Sequence, residues 1–466
     1  MWNICSGAFA FHLLYEEAMM KIQIPEKVNK IIGTLTCAGY EAYAVGGCVR
    51  DAVLGREPAD WDITTSASPQ EVKRLFPRTI DTGIRHGTVT VMLGREGFEV
   101  TTYRIDGIYE DGRHPTEVRF TQSLLEDLKR RDFTINAMAY NDEAGLVDEF
   151  DGVGDLRRGL IRCVGDARER FTEDALRMMR AVRFAAQLGF SLEPETREAV
   201  RQMAGNLEKV SAERVQAELM KLLLSPHPEM LRDAWETGLT AVFLPEFNRC
   251  MECRQNTPHH MYGVGEHTLR VIQGVRPDRV LRLAALLHDF GKPHMRTTDS
   301  QGVDHFQGHA AYSEELAGRI LRRLKFDNDT IRQVRRLVYW HDCRPSAEAA
   351  SVRRAVSRIG GDLFPMYLEL RRADILAQSR IFLEEKLENL DQVEAVYHQI
   401  LEEQNCLTLK DLAVSGRELM DAGFAAGPLL GETLNHLLDQ VIEDPGRNER
   451  GWLLEEALRW KEETDK

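Results

Sequence analysis

Val45-Gly46-Gly47-Cys48-Val49-Arg50-Asp51, followed by Asp60-Trp61-Asp62-Ile63-Thr64-Thr65, is the stretch that decides how this sequence folds. Ala42 to Val45 has a strand pattern, and the glycines after it open a helix, so a strand-turn-helix corner is expected. Backbone amides at such a corner can meet a phosphate at the helix start, although a tight turn needing positive φ explains the same glycines without a ligand. Asp60 and Asp62 stand two apart on an extended segment, which turns both carboxylates to one side. Paired hard oxygens suit magnesium ions, which activate a hydroxyl and steady a leaving pyrophosphate during in-line displacement at phosphorus. An isolated Asp-x-Asp is otherwise an acidic surface turn. Glu99, within Phe98-Glu99-Val100-Thr101-Thr102-Tyr103, is the candidate third carboxylate, set against the plainer reading of a solvent-facing strand residue.

Outward from this centre, strand patterns at Ala42 to Val45, Thr88 to Leu93 and Phe98 to Tyr103 alternate with helix signals as far as Val164. Ser68, Pro69 and Glu71 form a capping box with proline at the first helical position, predicting a helix towards Phe76. After Gly165 strand signals fade, and helical periodicity runs on, interrupted at Pro226, Pro228, Pro258, Pro293, Pro345, Pro428 and Pro445. The expected fold class is α+β, with an extension over 1–19, a mixed head over 20–164, a helical neck over 165–249, a helical domain over 250–395 and a helical tail over 396–466. In the tail, Leu409, Leu412, Leu419, Leu430, Leu434 and Leu437 supply the apolar face, and glycines between Gly427 and Gly431 could meet phosphate.

The 466 residues are 43% hydrophobic and 29% charged, which excludes a disordered or fibrous chain. The apolar patch Ala8 to Tyr15 is too short to span a bilayer and has no basic residue before it, so a cytoplasmic protein without a membrane partner is expected. Met19 and Met20 precede a helix pattern, and the first nineteen residues read as an unstructured extension or a misplaced start. Eight scattered cysteines lack the spacing of a disulfide framework, and the lone pair Cys250 and Cys253 lacks partners for zinc. A net charge of −14 argues against a nucleic-acid partner unless cations are gathered locally. Arginines at 157, 158, 162, 168, 170, 177, 180 and 183 supply such a gathering, or else a solvated helical face.

Thr172 reads as the N-cap of a helix that carries Asp174 and Arg177 three apart on one face. Cytosine and adenine both offer an amino donor beside a ring-nitrogen acceptor, so one carboxylate and one guanidinium can pair with either, whereas guanine and uracil reverse the pattern. The plain alternative is a surface ion pair worth ~0.2–0.5 kcal/mol. On one continuous helix, about 60° of drift per step sets Arg183 nearly opposite Asp174. The stretch Ile105 to Leu125, with Gly107, Asp111-Gly112 and Pro115, is rich in turn residues and reads as a moving loop. Farther on come Glu266-His267, His288-Asp289-Phe290-Gly291-Lys292, His309, His341 and Asp374, a set of imidazoles and carboxylates suited to a divalent metal.

The ordered motifs Gly46 to Asp51, Asp60-Trp61-Asp62, Arg130-Arg131-Asp132-Phe133-Thr134-Ile135-Asn136-Ala137 and Glu173-Asp174-Ala175-Leu176-Arg177 resemble those of bacterial class II CCA-adding enzymes and related poly(A) polymerases. The resemblance covers Val28 to Gly189 strongly and the rest loosely. It implies a polymerase-β-like nucleotidyltransferase head, a helical neck and body, and a tail that grips tRNA. The implied reaction is template-independent addition of CCA to tRNA from CTP and ATP, with Mg2+ held by Asp60 and Asp62. Gly47, Arg50 and Arg131 are implied as triphosphate contacts, with Arg180 and Arg183 as further nucleotide contacts. Members that add only CC lack the loop, so its presence implies a full CCA or an A-adding enzyme. The middle region is similar to HD-type phosphohydrolase domains, which implies His267, His288, Asp289 and Asp374 as transition-metal ligands and an additional phosphohydrolase activity. An A-adding enzyme or poly(A) polymerase, an HD-type phosphohydrolase with an RNA-recognising head, and a non-catalytic RNA-binding module stand as alternatives.

Overall fold

A computed structural model describes residues 21–107 and 118–464. The extension expected over 1–19, and Asp111, Gly112 and Pro115 of the expected moving loop, lie outside the described residues. The chain divides into two compact units, Met1–Phe243 and Leu244–Lys466.

In the first unit, β1 (Ala42–Val45), β2 (Ile63–Thr65), β3 (Thr79–Gly83), β4 (Thr88–Leu93), β5 (Glu96–Thr102), the outlying hairpin of β6 (Arg104–Asp106) and β7 (Val118–Phe120), β8 (Ala139–Asn141) and β9 (Gly145–Val147) follow one another along the chain. All but β6 and β7 join one sheet in the order β3-β4-β5-β2-β1-β8-β9. Only β2 and β5 pair in parallel within it, with Ile63 opposite Val100. Val89 and Val91 of β4 are buried while Thr88 and Thr90, which alternate with them, are partly exposed, the period-two alternation of a half-covered sheet. The helix Glu26–Cys37 buries Val28, Ile31, Ile32 and Leu35, one helical stripe, and packs against β1. Helix Pro69–Leu75 starts with the expected reciprocal cap, the Glu71 amide donating to Ser68 Oγ and the Ser68 amide to Glu71 Oε2. The β6–β7 hairpin frames the base of the expected loop.

Behind the sheet the chain turns helical, and here one expectation is corrected. Thr172 caps nothing: it lies inside the helix Ala167–Glu173, where its hydroxyl donates to the Arg168 carbonyl at 2.8 Å. The helix ends at Glu173, Asp174 is extended (φ −142°, ψ 104°), and a new helix spans Leu176–Leu188. Asp174 Oδ1 accepts the Leu176 amide at 3.0 Å, so this short acidic side chain competes for backbone donors and splits one expected helix into two. Asp174 and Arg177 therefore do not share a continuous helical face, and the angular argument that set Arg183 opposite Asp174 falls with it.

The second unit is built of helices, with two-residue strands Thr297–Thr298 and Asp304–His305 as the only sheet among its described residues. Pro245 and Pro428 open the helices Pro245–Glu252 and Pro428–Glu443, where a missing amide proton costs least. The tail gathers Leu412, Leu419, Leu437, Val441 and Leu453 into its own buried cluster with Leu430 and Leu434 against it, while Leu409 is exposed. Cys250 and Cys253 are buried free thiols. No helix among the described residues is long and apolar enough to cross a membrane.

Candidate active site

Asp60, Trp61, Asp62, Phe98, Glu99 and Lys27 line a cleft of about 920 Å³ beside β2 and β5. The parallel register Ile63↔Val100 puts Asp62 and Glu99, each one residue earlier, next to each other across the two strands. Asp60, Asp62 and Glu99 all keep solvent exposure, as ligands for an exchangeable ion must. The Asp62 carboxyl is nonetheless raised above its ordinary pKa, first by the protein packed around it and then by the negative charge of Asp60, with Glu99 adding and Arg131 opposing. Its accessible surface and its crowding are compatible: one side opens on the cleft while the other is walled by protein. Carboxylates that repel one another in a cleft form a donor set that a hard divalent cation would relieve, and this residue set fits magnesium.

The glycine corner lies close by. Gly46 has φ 85°, and a Cβ there would sit 2.8 Å from the Arg131 guanidinium, so this position demands glycine. Gly47 begins the helix Gly47–Val53, where a Cβ would meet only Arg50 at 3.7 Å. Arg131 stands 3.6 Å from Asp127 and also feels Asp62, while burial lowers its own pKa. Arg50 is held by two bonds to Asp51 and donates to Asn136 Oδ1 at 2.8 Å. Asn136 in turn donates to Asp132, which accepts from Arg180 Nε at 2.7 Å. Asp132 is held down at about 2 because the charges of Arg180 and Arg177 outweigh its burial.

Phe184 collects the remaining cations. The guanidinium carbons of Arg183, Arg50 and Arg180 lie 3.7, 5.2 and 5.4 Å from its ring centroid. Burial lowers Arg183 to about 10, against the pull of Glu218 at 2.6 Å. Thus helical spacing sets Arg180, Arg183 and Phe184 together on the helix Leu176–Leu188, and the ring gathers Arg50 to them from the helix Gly47–Val53. Arg177 is turned inward, donating to Glu173 Oε2 at 2.6 Å and to the Arg130 carbonyl at 2.9 Å.

Sequence reading missed Arg214 and Glu218. Both lie on the helix Ala212–Leu223, which packs against Leu176–Leu188 and buries Val215, Leu219, Leu222 and Leu223. Arg214 donates to both oxygens of Asp174 and Glu218 pairs with Arg183. Their sequence signal was two opposite charges four apart on a helix with a strong apolar stripe, one of them buried inside it.

The second unit brings its own cluster together around a cavity of 650 Å³ lined by Asp289, Lys292, His309, His341, Asp374 and Arg344 among others. His267 comes from the helix Val264–Gly274, His288 follows Arg279–Leu287, and Asp374 lies on Phe364–Leu376. His267 Nε2 is 3.0 Å from Asp374 Oδ1 and 3.6 Å from Asp289 Oδ2, which is 3.3 Å from His288 Nε2. His309 and His341 approach the other oxygen, Asp289 Oδ1, at 3.4 and 3.6 Å. Two groups that could each hold a metal ion, His267–His288–Asp289 and Asp289–His309–His341, therefore meet at one carboxylate. Neither Asp289 oxygen has a well-formed hydrogen bond, although Lys292 Nζ stands 2.7 Å away. Burial holds His309 down to about 4, so it is a neutral imidazole near pH 7, the form that ligates metal. The chemistry of this donor set fits a transition metal.

Comparison with known proteins agrees with this architecture. The poly(A) polymerase head domain model matches residues 42–162, the RNA and SrmB-binding site of polymerase A matches 189–251, and tRNA nucleotidyltransferase domain 2 matches 297–457. The CCA-adding enzyme of Levilactobacillus brevis is 38% identical over 428 residues, which span 91% of this chain and 95% of that protein. That of Lactiplantibacillus plantarum is 50% identical over 236 residues, 50% of this chain and 56% of that protein. The crystal structure of the Bacillus stearothermophilus CCA-adding enzyme in complex with CTP matches with a TM-score of 0.68 at 32% identity, covering 94% of this chain and 98% of that one. The Thermotoga maritima CCA-adding enzyme complexed with tRNA shares the fold at 21% identity and a TM-score of 0.56, covering 94% of this chain and 99% of that one. With a mixed sheet that seats paired aspartates, a helical remainder, and an end-to-end relative at this identity, the chain belongs to the family of CCA-adding enzymes.

Proposed function

We propose that this chain adds CCA to the 3′ end of tRNA without a nucleic-acid template, using CTP, ATP and Mg2+ in the cytoplasm. The observation that carries the reading is the cleft shared by Asp60, Asp62 and Glu99, whose mutual repulsion a divalent cation relieves. Magnesium in that cleft would supply positive charge to the reacting phosphate and lower the pKa of the attacking hydroxyl. The chain's own residues do the rest. Asp60 and Asp62, with Glu99 beside them, would hold the ion, while Arg131 next to the Gly46 turn is placed to offset triphosphate charge. Arg50, Arg180 and Arg183 form a cationic group about Phe184, and the Gly47 amide lies at the corner they adjoin. Asp174 offers the acceptor that matches cytosine and adenine, and Arg177, with one N–H of each terminal nitrogen spent on Glu173 and the Arg130 carbonyl, keeps further N–H groups as the donor.

The Asp174→Ala change tests the base-reading assignment. Measured on a tRNA ending before CCA, preference for CTP over UTP should fall by about 5- to 150-fold, the equivalent of ~1–3 kcal/mol for one bidentate base contact. Unchanged selection among the four nucleotides removes the assignment.

The two triads sharing Asp289 favour a second reading for the helical unit, metal-dependent phosphohydrolysis with a transition metal on His267, His288, Asp289 and Asp374. His309 and His341 extend that ligand set. Metal analysis of the purified protein, with hydrolysis of a simple phosphomonoester assayed under Ni2+, Mn2+ and Co2+, checks it. Neither bound metal nor turnover would leave the cluster a packing feature.

A further inference from the structure

We infer that Arg214 is a positioning residue for base selection, fixing the one acceptor that Asp174 has left to offer a nucleotide. The inference rests on the reading that Asp174 reads the base. A carboxylate presents about four lone-pair sites. The Leu176 amide takes one on Oδ1 at 3.0 Å, Arg214 NH1 takes a second on Oδ1 at 3.3 Å, and Arg214 NH2 takes a third on Oδ2 at 2.7 Å. One site remains, on Oδ2. The exocyclic amino group of cytosine or adenine needs one acceptor, so the count and the chemistry agree.

The two-point contact also fixes the plane of the carboxylate. Asp174 has left the helix before it and has not entered the helix after it, and the local Leu176 amide anchors only Oδ1, so the plane of the carboxylate is left for another partner to set. Arg214 stands on a different helix, Ala212–Leu223, whose next turn carries Glu218, paired with the buried Arg183 at 2.6 Å. One rigid helix thereby braces both the base-reading carboxylate and a cation of the group about Phe184. A guanidinium does this where an ammonium cannot, because its planar fork grips two oxygens at once. Without that fork Asp174 regains two free lone-pair sites and rotational freedom, and a base with a different donor pattern meets less resistance.

The test uses the full chain and single-turnover incorporation of each nucleotide, on a tRNA ending before CCA and on one ending in CC. Arg214→Met should cut the preference for CTP over UTP, and for ATP over GTP, by about tenfold, towards the low end of a bidentate contact's worth. The loss should fall on kcat for the correct nucleotide, with the KM for tRNA unchanged. Arg214→Lys should recover part of the preference, and it decides the matter if the methionine variant does not fold. In an Asp174→Ala background, Arg214→Met should change selection no further. Equal slowing of all four nucleotides with preference intact, in both Arg214 variants, would overturn the inference while Asp174→Ala still relaxes selection. If Asp174→Ala leaves selection intact, the base-reading assignment itself fails and this inference falls with it.

Discussion

Asp60 and Asp62, just before β2, and Glu99, within β5, are exposed carboxylates, whereas His267, His288, Asp289 and Asp374 are buried among helices. Each group is suited to a divalent cation, and each meets the cost of assembling ligands differently. In the first, like charges face one another with Arg131 as the opposing influence, and Asp62 is left with a raised pKa. In the second, cations and imidazoles surround the carboxylates: Asp289 lies well below its ordinary value because His288 and Lys292 outweigh burial, and Asp374 likewise because of His267 and Arg371. The difference teaches what each is suited for. An open, self-repelling oxygen cleft suits a cation that arrives and leaves with each nucleotide, and a closed, compensated nitrogen-rich cluster suits one that stays.

The largest effect should come from the open cleft. Asp60→Ala and Asp62→Ala should each lower nucleotide addition by on the order of 10³-fold or more, since metal stabilisation of transition-state charge is worth several kcal/mol. Phosphohydrolase turnover, where present, should be untouched, and loss of both activities in either variant would break the division between the regions. Next, His288→Ala should weaken transition-metal retention by more than the about 10–100-fold typical of losing an outer-sphere partner, with nucleotide addition unchanged. Metal content after dialysis, measured beside an incorporation assay, checks both halves. Brief chelation should likewise strip the head's magnesium reversibly before it empties the second cluster.

The smallest effect is on stability. A carboxyl whose folded pKa is raised is stressed when ionised, so its contribution destabilises the metal-free fold above that pKa and the penalty is relieved as pH falls through it. Asp62→Asn should therefore raise the melting temperature of the metal-free protein at pH 7, by about 1–2 °C once the exposure of the site is allowed for. The gain should vanish below the Asp62 pKa and shrink when magnesium is added. A lower melting temperature in the variant at pH 7 would show that repulsion is not what this cleft stores.

Where sequence patterns are local, they translated directly. The strands Ala42–Val45 and Thr88–Leu93 and the capped helix at Pro69 follow from alternation and a reciprocal cap, both complete within a few residues. The paired aspartates were legible because their spacing and the strand after them are contiguous. What escaped reading depends on partners far along the chain. Asp174 looked like a helical residue, since nothing in Glu173 to Arg177 reveals that its side chain would take the Leu176 amide and end a helix. Arg214 lies 40 residues from the carboxylate it grips, and only tertiary packing joins them. The angle between Arg183 and Asp174 was misread for the same reason, because the helix breaks at Asp174, and Glu218, which pairs with Arg183, lies far along the chain. In the second unit the ligand types were visible in the sequence, but the sharing of Asp289 between two triads required three-dimensional placement.

The most direct test of the account is nucleotide incorporation by the purified chain on a tRNA that ends before CCA, with Mg2+ and each nucleotide alone or in combination. The account predicts addition of C residues with CTP alone, completion to CCA when ATP is also present, and no extension by UTP or GTP. Elongation by ATP alone without incorporation of CTP would contradict it.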